Sequence, residues 1–459
     1  MPLPPTDDTI AAIATAPGTG AIGVVRVSGP AALAIAGAIF SPRAPSRARA
    51  LSSVRDDPAR TPAGRFLVGH VVDAGETLDE CVLLVFREPA SVTGQDVVEF
   101  QVHGGPAVLA AVLRACLGHG ARAAGPGEFT LRGFLTGKLD LAQAESVQEL
   151  VNARSEAARR HAGSGLMGAL SRRVDALQSV LTGAYAAVLA TLDYPEEGVP
   201  ESDVVGPLHD ALAEMDALLA TARAGRAARR GASLALVGRP NSGKSSLLNA
   251  LLGFDRALVS EAPGTTRDYL EAPLELGRAS VTAIDTAGLR ATSDSVEKAG
   301  VRLARELARD ADVVVALFDG SRALDSYDAA LVSELSGPRT IWVASKADLP
   351  HAWERADLGV QPLLRVSAID GTGLEELRAA LEAAVVGDAS VSEAWLVTER
   401  HEDALREARE AAERALSAPD DLRGLDLETA LHALARITGR GEVAEETLSE
   451  VFARFCVGK

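Results

Sequence analysis

Hydrophobic residues in the first part of the chain occur in short runs separated by turns that contain glycine or proline. Several runs are rich in β-branched residues or alternate apolar and polar positions, which predicts strands. These runs are Thr9–Thr15, Ala21–Val27, Arg65–Val72, Cys81–Phe86 and Val97–Val102. The spacing in Pro30–Phe40 and Pro106–Leu117 predicts helices, and polar Ala44–Pro62 predicts a loop. Residues 1–125 are therefore predicted to form an α+β domain.

The pattern changes to the helical period after Pro126. Glu128–Tyr194 is long enough for several helices and contains almost no proline before Glu196–Pro207 interrupts it. Leu208–Arg230 then predicts another helix.

Strands and helices alternate from Ser233 to about Val386, which predicts a doubly wound, mostly parallel sheet. Glu393–Lys459 is helical again. The chain is thus predicted to be a multidomain α/β protein in which an α/β domain is inserted into a discontinuous helical domain. The predicted ranges are 1–125, 126–230, 231–386 and 387–459.

Composition and charge agree with an ordinary globular protein. The chain has 459 residues, enough for about three domains, and 47% of them are hydrophobic. A net charge of −17 argues against non-specific coating of nucleic acid, although it does not exclude a local basic patch. Ala176–Leu192 carries no charge, but it contains polar residues and is shorter than the roughly 20 apolar residues of a membrane span. We expect a core helix there, no membrane association, and a cytoplasmic protein.

Ser233–Ser245 reads SLALVGRPNSGKS and contains the phosphate-loop pattern G-x-x-x-x-G-K-[ST]. An apolar run precedes the loop and a helical segment follows it, as phosphate binding requires, so a plain glycine turn is a poor alternative. Lys244 is predicted to reach the β- and γ-phosphates and the Ser245 hydroxyl to bind Mg²⁺. The other predicted nucleotide contacts of this loop are Asn241, Ser242, Gly243 and Ser246.

Two downstream motifs have the order and spacing of GTPase switch segments. Thr266, in the sequence GTTRD, is predicted to bind Mg²⁺ and sense the γ-phosphate. Asp285 follows an apolar run and is predicted to hold Mg²⁺ through water, while the Gly288 N–H contacts the γ-phosphate. Neighbouring residues predicted to contact the nucleotide are Thr265, Thr286 and Ala287.

Guanine recognition is predicted at the ends of two later strands. Asp348, in Ser345-Lys346-Ala347-Asp348, can accept hydrogen bonds from the guanine N1–H and amino group, a donor pair that adenine lacks. Ser367 and Ala368 are predicted to close over the base. The chain is therefore predicted to bind and hydrolyse GTP.

Two residues refine the hydrolysis chemistry. Leu289 stands where many GTPases carry a glutamine that orients water, so another group must take that role. The Asn241 amide oxygen could hold a monovalent cation beside the phosphates, where it would stabilise developing charge. Simple loop capping by Asn241 is an equally good interpretation.

Three distant segments resemble the family of bacterial tRNA-modification GTPases called MnmE or TrmE. They are GAIGVVRVSG (20–29), VTGQDVVEFQVHGGP (92–106) with PGEFTLRGFLTGKLDLAQAES (126–146), and FCVGK (455–459). The resemblance implies a folate-binding dimerisation domain, a helical domain and an inserted Ras-like G domain. It also implies a homodimer that works on tRNA with a flavoprotein, MnmG, which carries FAD. Together they would install an aminomethyl-type group on C5 of the wobble uridine, using a tetrahydrofolate one-carbon unit and nitrogen from glycine or ammonium.

The resemblance also implies residue roles. Arg26, Glu99, Lys138 and Lys459 match the family's residues for formyl- or methylene-tetrahydrofolate. K⁺ would be held by Asn241, Ser260, Ala262 and Thr265. Glu297 matches the carboxylate that orients water indirectly. Without the resemblance, its sequence context favours an exposed helix residue. Cys456 matches a cysteine near the folate site, and packing is its plain alternative.

Some positions depart from the family pattern. Ser345 replaces the usual asparagine of the guanine motif, which suggests weaker guanine binding. Ser260 replaces threonine but keeps the hydroxyl, and Gln95 replaces an acidic residue. The main alternative is a GTPase that regulates ribosome assembly, but it would need a basic RNA-binding region, which this acidic chain lacks.

Overall fold

The computed structural model describes residues 4–42, 58, 61–62, 64–153, 156–193, 204–222, 232–253, 271–276, 279–284, 311–335, 339–386, 398–441 and 443–459. Two compact units are present. The N-terminal unit consists of Met1–Gln148 with Thr438–Lys459, and the inserted unit consists of Glu149–Ile437. The finer domain boundaries expected at residues 125, 230 and 386 stay predictions.

The described residues form strands and helices throughout both units. The strands are β1 (Ile10–Ile13), β2 (Gly20–Ser28), β3 (Phe40–Pro42), β4 (Arg65–Asp73), β5 (Glu76–Phe86), β6 (Val97–Gly104), β7 (Arg122–Ala123), β8 (Ala232–Gly238), β9 (Glu271–Leu276), β10 (Ala279–Ile284), β11 (Val313–Asp319), β12 (Thr340–Ser345) and β13 (Leu363–Val366). The helices are α1 (Ala32–Ile39), α2 (Pro106–Gly118), α3 (Glu128–Leu135), α4 (Leu141–Asn152), α5 (Glu156–Leu166), α6 (Ala169–Asp193), α7 (Val205–Ala220), α8 (Lys244–Gly253), α9 (Ser326–Leu335), α10 (Arg355–Leu358), α11 (Leu374–Val386), α12 (Glu399–Ser417), α13 (Asp420–Thr438) and α14 (Glu445–Ala453).

A seven-stranded sheet lies at the centre of the N-terminal unit, in the order β3-β4-β5-β6-β2-β1-β7. Its neighbouring strands are antiparallel, except that β1 and β7 are parallel. Apolar residues at every second position of β2, β5 and β6 pack beneath α1 and α2. Because side chains alternate along a strand, Arg26 and Glu99 project from the opposite, open face.

The end of the chain packs onto α3 and α4 in the same unit. Phe452 of α14 and Phe455 join a small core with Leu131 of α3 and Leu141 of α4. The last described helix ends at Ala453, so the helical prediction for residues up to 459 is wrong at its end. Residues beyond α14 instead approach the start of α3, where Val457 forms a bridge with Pro126.

A second sheet, in the order β13-β12-β11-β8-β10-β9, belongs to the inserted unit. All its pairs are parallel except the antiparallel edge pair of β9 and β10. One face packs against α8 and α11, and the other against α9 and α10. Burial on both faces explains why β8 and β11 are continuous apolar runs without alternation. The prediction of a doubly wound, mostly parallel G domain within a multidomain α/β protein is confirmed.

Helices α5, α6, α7, α12 and α13 form the helical part of the inserted unit. Among the described residues, Ala169–Leu192 in α6 is long and apolar enough to cross a membrane by length and composition alone. Its buried residues recur every three or four positions, as in Val174, Leu177, Leu181 and Ala184. This single buried stripe is the pattern of a helix that packs in a bundle.

The structure corrects the expected elements at three further places. β5 begins at Glu76 and not at Cys81, because a hairpin turn at Ala74 and Gly75, both with positive φ, pairs its polar first residues with β4. β3 was not expected, since Phe40 was assigned to a helix. The break predicted to extend to Pro207 ends earlier, because α7 begins at Val205.

Candidate functional site

The predicted phosphate-binding loop joins β8 to α8. Asn241 and Gly243 in this loop have positive φ angles of 62° and 93°. A Cβ atom at Gly238 would lie 2.5 Å from the Leu317 carbonyl oxygen, so only glycine lets the loop pass this close to β11. The two left-handed residues curl the backbone at the start of α8. Such a turn before a helix presents N–H groups to phosphate.

Lys244 is held within this loop. Its Nζ donates to the Gly238 carbonyl at 2.9 Å and to the Arg239 carbonyl at 2.7 Å. Ser245 is exposed in the first turn of α8, so its hydroxyl is accessible to a metal ion. The Ser242 hydroxyl is buried and has no hydrogen-bond partner within the described residues. Buried polar atoms are normally paired with a hydrogen-bond partner. The unpaired hydroxyl therefore indicates that a bound ligand would supply the missing partner in this loop.

The predicted guanine-recognition residues follow β12 and β13, which are adjacent parallel strands. Asp348 Oδ1 accepts a hydrogen bond of 2.7 Å from Ser367 Oγ. That hydroxyl also accepts bonds from two backbone N–H groups of the following turn, while the Ala347 N–H donates to the Val366 carbonyl at 3.2 Å. The Asp348 carboxylate is thus oriented by a buried hydroxyl and keeps lone pairs on both oxygens for a base.

Ser345, at the end of β12, connects the guanine loop to the phosphate loop. Its Oγ lies 2.7 Å from the Ser242 carbonyl oxygen and 3.1 Å from that of Phe318. The single hydroxyl proton can therefore be donated to either carbonyl. The shorter serine still reaches the phosphate loop because β11 alone separates β12 from β8.

Other predicted nucleotide residues lie outside the described part of the chain. They are Ser260, Ala262, Thr265, Thr266, Asp285, Thr286, Ala287, Gly288, Leu289 and Glu297. Their roles stay predictions. β10 ends immediately before Asp285, so this residue follows a strand as the sequence predicts.

The predicted folate residues Arg26 and Glu99 are cross-strand neighbours on the open face of the N-terminal sheet. Arg26 Nε donates to Glu99 Oε1 at 2.8 Å, and the two side chains are 21% and 14% exposed. The Arg26 guanidinium also lies 5.6 Å from the centroid of the Phe129 ring and 3.4 Å from the Gly458 carbonyl oxygen. A charged pair, an aromatic ring and the end of the chain therefore meet at this point.

Lys459 and Lys138, the other predicted folate residues, lie near opposite ends of α3. The Phe129 N–H at the start of α3 donates to the Lys459 carbonyl at 3.1 Å. Gly458 has a φ of 94°, and a Cβ there would lie 2.3 Å from the Ile13 carbonyl oxygen. Lys138 is exposed beyond the other end of α3, a helix of eight residues that is about 12 Å long.

Two family models together cover most of this chain. The model described as "GTP-binding protein TrmE N-terminus" matches residues 9–138, and the model described as "MnmE helical domain" matches residues 141–456. The chain belongs to the MnmE family. The resemblance noted in the sequence is thereby confirmed.

Curated MnmE-family proteins match along their full length. The tRNA modification GTPase MnmE of Thermus thermophilus is 51% identical over 454 residues, covering 98% of this chain and 99% of that protein. The protein of the same description from Synechococcus sp. strain JA-3-3Ab is 44% identical over 469 residues, with 99% of each chain covered. One solved structure, the G domain of the T. maritima FeoB iron transporter, is 28% identical. It covers 33% of this chain and 98% of its own length, but its TM-score of 0.26 is too low to carry an argument. The chain is thus a GTPase of the tRNA-modification family.

Sequence analysis missed a charged cluster attached to the phosphate loop of this MnmE-family chain. The Arg239 guanidinium donates to Asp325 and lies over the Tyr327 ring, 4.9 Å from its centroid. Arg322 also donates to Asp325, at 3.0 Å. The hydrogen bond from Arg239 is the main reason why the pKa of Asp325 is lowered to about 2. This cluster ties the loop to the start of α9, and no local pattern in the sequence indicates it.

A second group that sequence analysis missed is buried at the start of α3. Arg132 and Glu128 are each 1% exposed, and Arg132 Nη2 lies 3.0 Å from Glu128 Oε1 and 2.5 Å from Asp8 Oδ1. Arg122 donates to the same Glu128 oxygen at 2.6 Å. Burial raises the pKa of Glu128, but hydrogen bonds from Arg122, the Gly125 N–H and Arg132 outweigh it and hold that pKa below its ordinary value. The cluster fixes the start of α3 and, with it, the Phe129 ring.

The cysteines differ in their surroundings. Cys81 and Cys116 are buried, and burial raises the pKa of each thiol to about 12. Cys456 is exposed, and its functional role stays a prediction. Within the described residues, no group of three or more His, Cys, Asp or Glu side chains is placed to hold a metal ion.

Proposed function

We propose that this MnmE-family GTPase hydrolyses GTP to GDP and phosphate with Mg²⁺ and K⁺, and that hydrolysis is coupled to tRNA modification. With an MnmG-like flavoprotein carrying FAD, it would install a carboxymethylaminomethyl-type group on C5 of the wobble uridine of certain tRNAs. The observation that supports the GTPase site best is the Ser345 hydroxyl. It joins the loop containing Lys244 to the loop containing Asp348, so phosphate and guanine groups belong to one site.

The residues of this site match the chemistry of a nucleoside triphosphate. Lys244 Nζ, which donates to two loop carbonyls, would donate to phosphate oxygens in the complex, and the start of α8 adds a partial positive charge. Asp348 would accept hydrogen bonds from the guanine edge. Bound Mg²⁺ and K⁺ would supply positive charge beside the β- and γ-phosphates. The proposed Mg²⁺ ligands are Ser245 and Thr266, and the proposed K⁺ ligands are Asn241, Ser260, Ala262 and Thr265.

Two carboxylates would complete hydrolysis. Asp285 would hold the water shell of the metal, and Glu297 would orient the attacking water indirectly because Leu289 cannot. Glu297→Gln should lower kcat for GTP hydrolysis while KM changes little, since the interaction is needed only in the transition state. An unchanged kcat would remove Glu297 from the mechanism.

A tetrahydrofolate fits the groups around Arg26. A guanidinium and a partly buried carboxylate suit a polar pterin, and the Phe129 ring offers a flat apolar surface. Lys138 and Lys459, placed near opposite ends of α3, would suit the glutamate tail of an elongated ligand. Bound folate would supply the one-carbon unit, while this chain would bind and orient it.

A homodimer through the open face of the N-terminal sheet accounts for its exposed apolar residues. Phe66 lies in the same cross-strand row as Glu99 and Arg26. Phe66, Val68 and Ile22 are 63%, 45% and 64% exposed. Exposed apolar patches of this kind mark interaction sites. A second copy would cover the patch and enclose the folate residues. We place this activity in the cytoplasm, where the tRNA substrate would be available.

Nucleoside mass spectrometry tests the function directly. tRNA would be taken from cells lacking the gene and complemented with wild type, Lys244→Ala, Asp285→Asn or the control Asp426→Asn. The control breaks an exposed ion pair of 2.9 Å with Arg414 that lies outside the site. We expect wild type and the control to restore a C5-modified wobble uridine, and the site variants to fail. An unchanged nucleoside profile in the deletion strain would reject the proposal and turn attention to the ribosome-assembly alternative.

A further inference from the structure

The backbone carbonyl of Arg239 is a point of support inside the phosphate loop. Lys244 Nζ donates to this carbonyl at 2.7 Å, and the Ser242 N–H donates to it at 3.2 Å. Arg239 directly follows β8, so its position sets where the loop leaves the sheet. A displacement of Arg239 would therefore move both the lysine and the turn before α8.

The side chain of Arg239 is held at the start of α9. Its guanidinium donates to Asp325 Oδ2, lies 3.8 Å from Asp328 Oδ2, and lies 4.9 Å from the centroid of the Tyr327 ring. The Arg239 side chain is 26% exposed, and that of Asp328 is 5% exposed. Two carboxylates and an aromatic face restrain the planar guanidinium, because both kinds of contact depend on its orientation.

The two carboxylates are themselves fixed by the first turn of α9. Asp325 Oδ1 accepts hydrogen bonds from the Tyr327 N–H at 2.9 Å and the Asp328 N–H at 3.4 Å. Asp328 Oδ2 accepts a hydrogen bond of 3.1 Å from the Asp325 N–H. This reciprocal arrangement is that of a capping box, and negative charge is favoured at the start of a helix. An isolated exposed ion pair contributes little, but a network with fixed acceptors can hold its donor in place.

We propose that Asp325 is a positioning residue for phosphate binding and GTP hydrolysis, which acts through Arg239 on Lys244. The inference rests on the proposed contact between Lys244 and the β- and γ-phosphates. Asp325 would influence the phosphate end of the nucleotide and not the base. GDP and GMP distinguish the two ends, because GMP lacks the phosphate groups that Lys244 would contact.

The test combines calorimetric binding of GDP and GMP to the full-length protein with steady-state kinetics of GTP hydrolysis. The variants are Asp325→Asn, Arg239→Met and the double variant. Asparagine keeps a side-chain oxygen for the N–H groups of α9 and removes the charge. We expect each single variant to raise the Kd of GDP and to lower kcat for GTP roughly 3- to 10-fold. The Kd of GMP, measured by competition, should change by less than about twofold, within the range of an exposed pair. The double variant should lose no more than either single variant, since both changes break one interaction.

Two matched variants serve as controls. Arg322→Met removes another hydrogen bond to Asp325 Oδ2, of 3.0 Å, from a residue outside the phosphate loop. Asp426→Asn makes the same chemical change as Asp325→Asn at an exposed ion pair with Arg414. Both controls should bind GDP within about twofold of wild type.

Several results would overturn the inference while the GTPase proposal stands. They are a wild-type Kd for GDP with a wild-type kcat in Asp325→Asn, an equal loss of GDP and GMP affinity, and an equal loss in Arg322→Met. Additive losses in the double variant would also overturn it, because they would show two independent effects. If Asp325→Asn does not fold, an unchanged Kd and kcat in Arg239→Met overturn the inference. Wild-type GTP binding and hydrolysis in Lys244→Ala would overturn both the inference and the proposed phosphate site.

Discussion

The nucleotide site and the Arg26–Glu99 site are built in different ways. At the nucleotide site, side chains donate mainly to backbone carbonyls, as Lys244 does in the phosphate loop and Ser345 does between the two loops. At the other site, side chains from β2, β6 and α3 meet one another. The first site follows from the path of the backbone, which short motifs encode. The second follows from the packing of elements that are far apart in sequence.

Lys244→Ala should produce the largest effect and separate the two sites. Loss of a charge that stabilises the transferring phosphoryl group should lower kcat/KM for GTP on the order of 10²- to 10³-fold. Binding of 5-formyl-tetrahydrofolate, measured by calorimetry, should not change, because the residues proposed to bind folate lie in the N-terminal unit. Loss of both activities in a folded variant would show that the two sites are not independent.

Glu128→Gln should show how strongly the proposed folate site depends on packing. Removing one carboxylate from this cluster leaves Arg132 and Arg122 to share Asp8 as their remaining acidic partner. We therefore expect the N-terminal unit to lose about 3 kcal/mol of unfolding free energy. Hydrogen exchange of amides in β1, β2 and β6 would measure it. The control Glu156→Gln removes an exposed glutamate that pairs with Arg159 and Arg160. Equal protection in both variants would contradict the prediction.

The same cluster should make the stability of the N-terminal unit pH-dependent. The pKa of Glu128 and the pKa of Asp8, which is lowered mainly by its hydrogen bond from Arg122, lie below the ordinary values of 4.5 and 3.8. Their stabilisation is therefore present above those values and is lost as the pH falls through the lower folded-state pKa values. Hydrogen exchange across this acidic range should show a smaller pH dependence in Glu128→Gln than in wild type. An identical dependence would mean that Glu128 does not contribute.

Arg26→Ala tests the Arg26–Glu99 site itself. The change removes a charge-assisted hydrogen bond and the contact with Phe129, and it leaves Glu99 without its partner. We expect the Kd for 5-formyl-tetrahydrofolate to rise roughly 10- to 100-fold, while KM for GTP is unchanged. Calorimetry and steady-state kinetics on the same preparation would measure both. Wild-type folate affinity in this variant would place the folate elsewhere.

Ser345→Ala should have the smallest effect. It removes one neutral hydrogen bond between the guanine and phosphate loops, so we expect the Kd for GDP to rise roughly 2- to 10-fold. Ser179→Ala is the control, because that exposed hydroxyl also donates to a backbone carbonyl, at 2.9 Å, but in α6. If Ser345→Ala and Ser179→Ala bind GDP equally well, the hydrogen bond between Ser345 and the phosphate loop does not contribute to GDP affinity.

Most of the nucleotide site was predictable because its motifs are local and each follows a strand. The sequence placed Lys244, Asp348 and Ser367 in segments that follow strands, and the parallel sheet brings the ends of those strands together. The pairings of Arg239 and Asp319 were not predictable. Their partners, Asp325 and Lys346, lie 86 and 27 residues away, and neither pairing leaves a periodic pattern. The contact between Ser345 and the phosphate loop was not predictable either. Whether the serine side chain is long enough to make it depends on how the neighbouring strands are arranged.

By itself, the sequence determined the fold class, the family and the kind of nucleotide, because hydrophobic period and short motifs act through the local backbone. Only the tertiary structure decided which charges meet. Arg26 faces Glu99 because β2 and β6 pair in one register. Phe129 reaches Arg26 because the buried pair of Glu128 and Arg132, together with the partly exposed Asp8, fixes α3. Such contacts depend on register and packing between distant segments, and a one-residue shift in register would turn Arg26 toward the opposite face of the sheet.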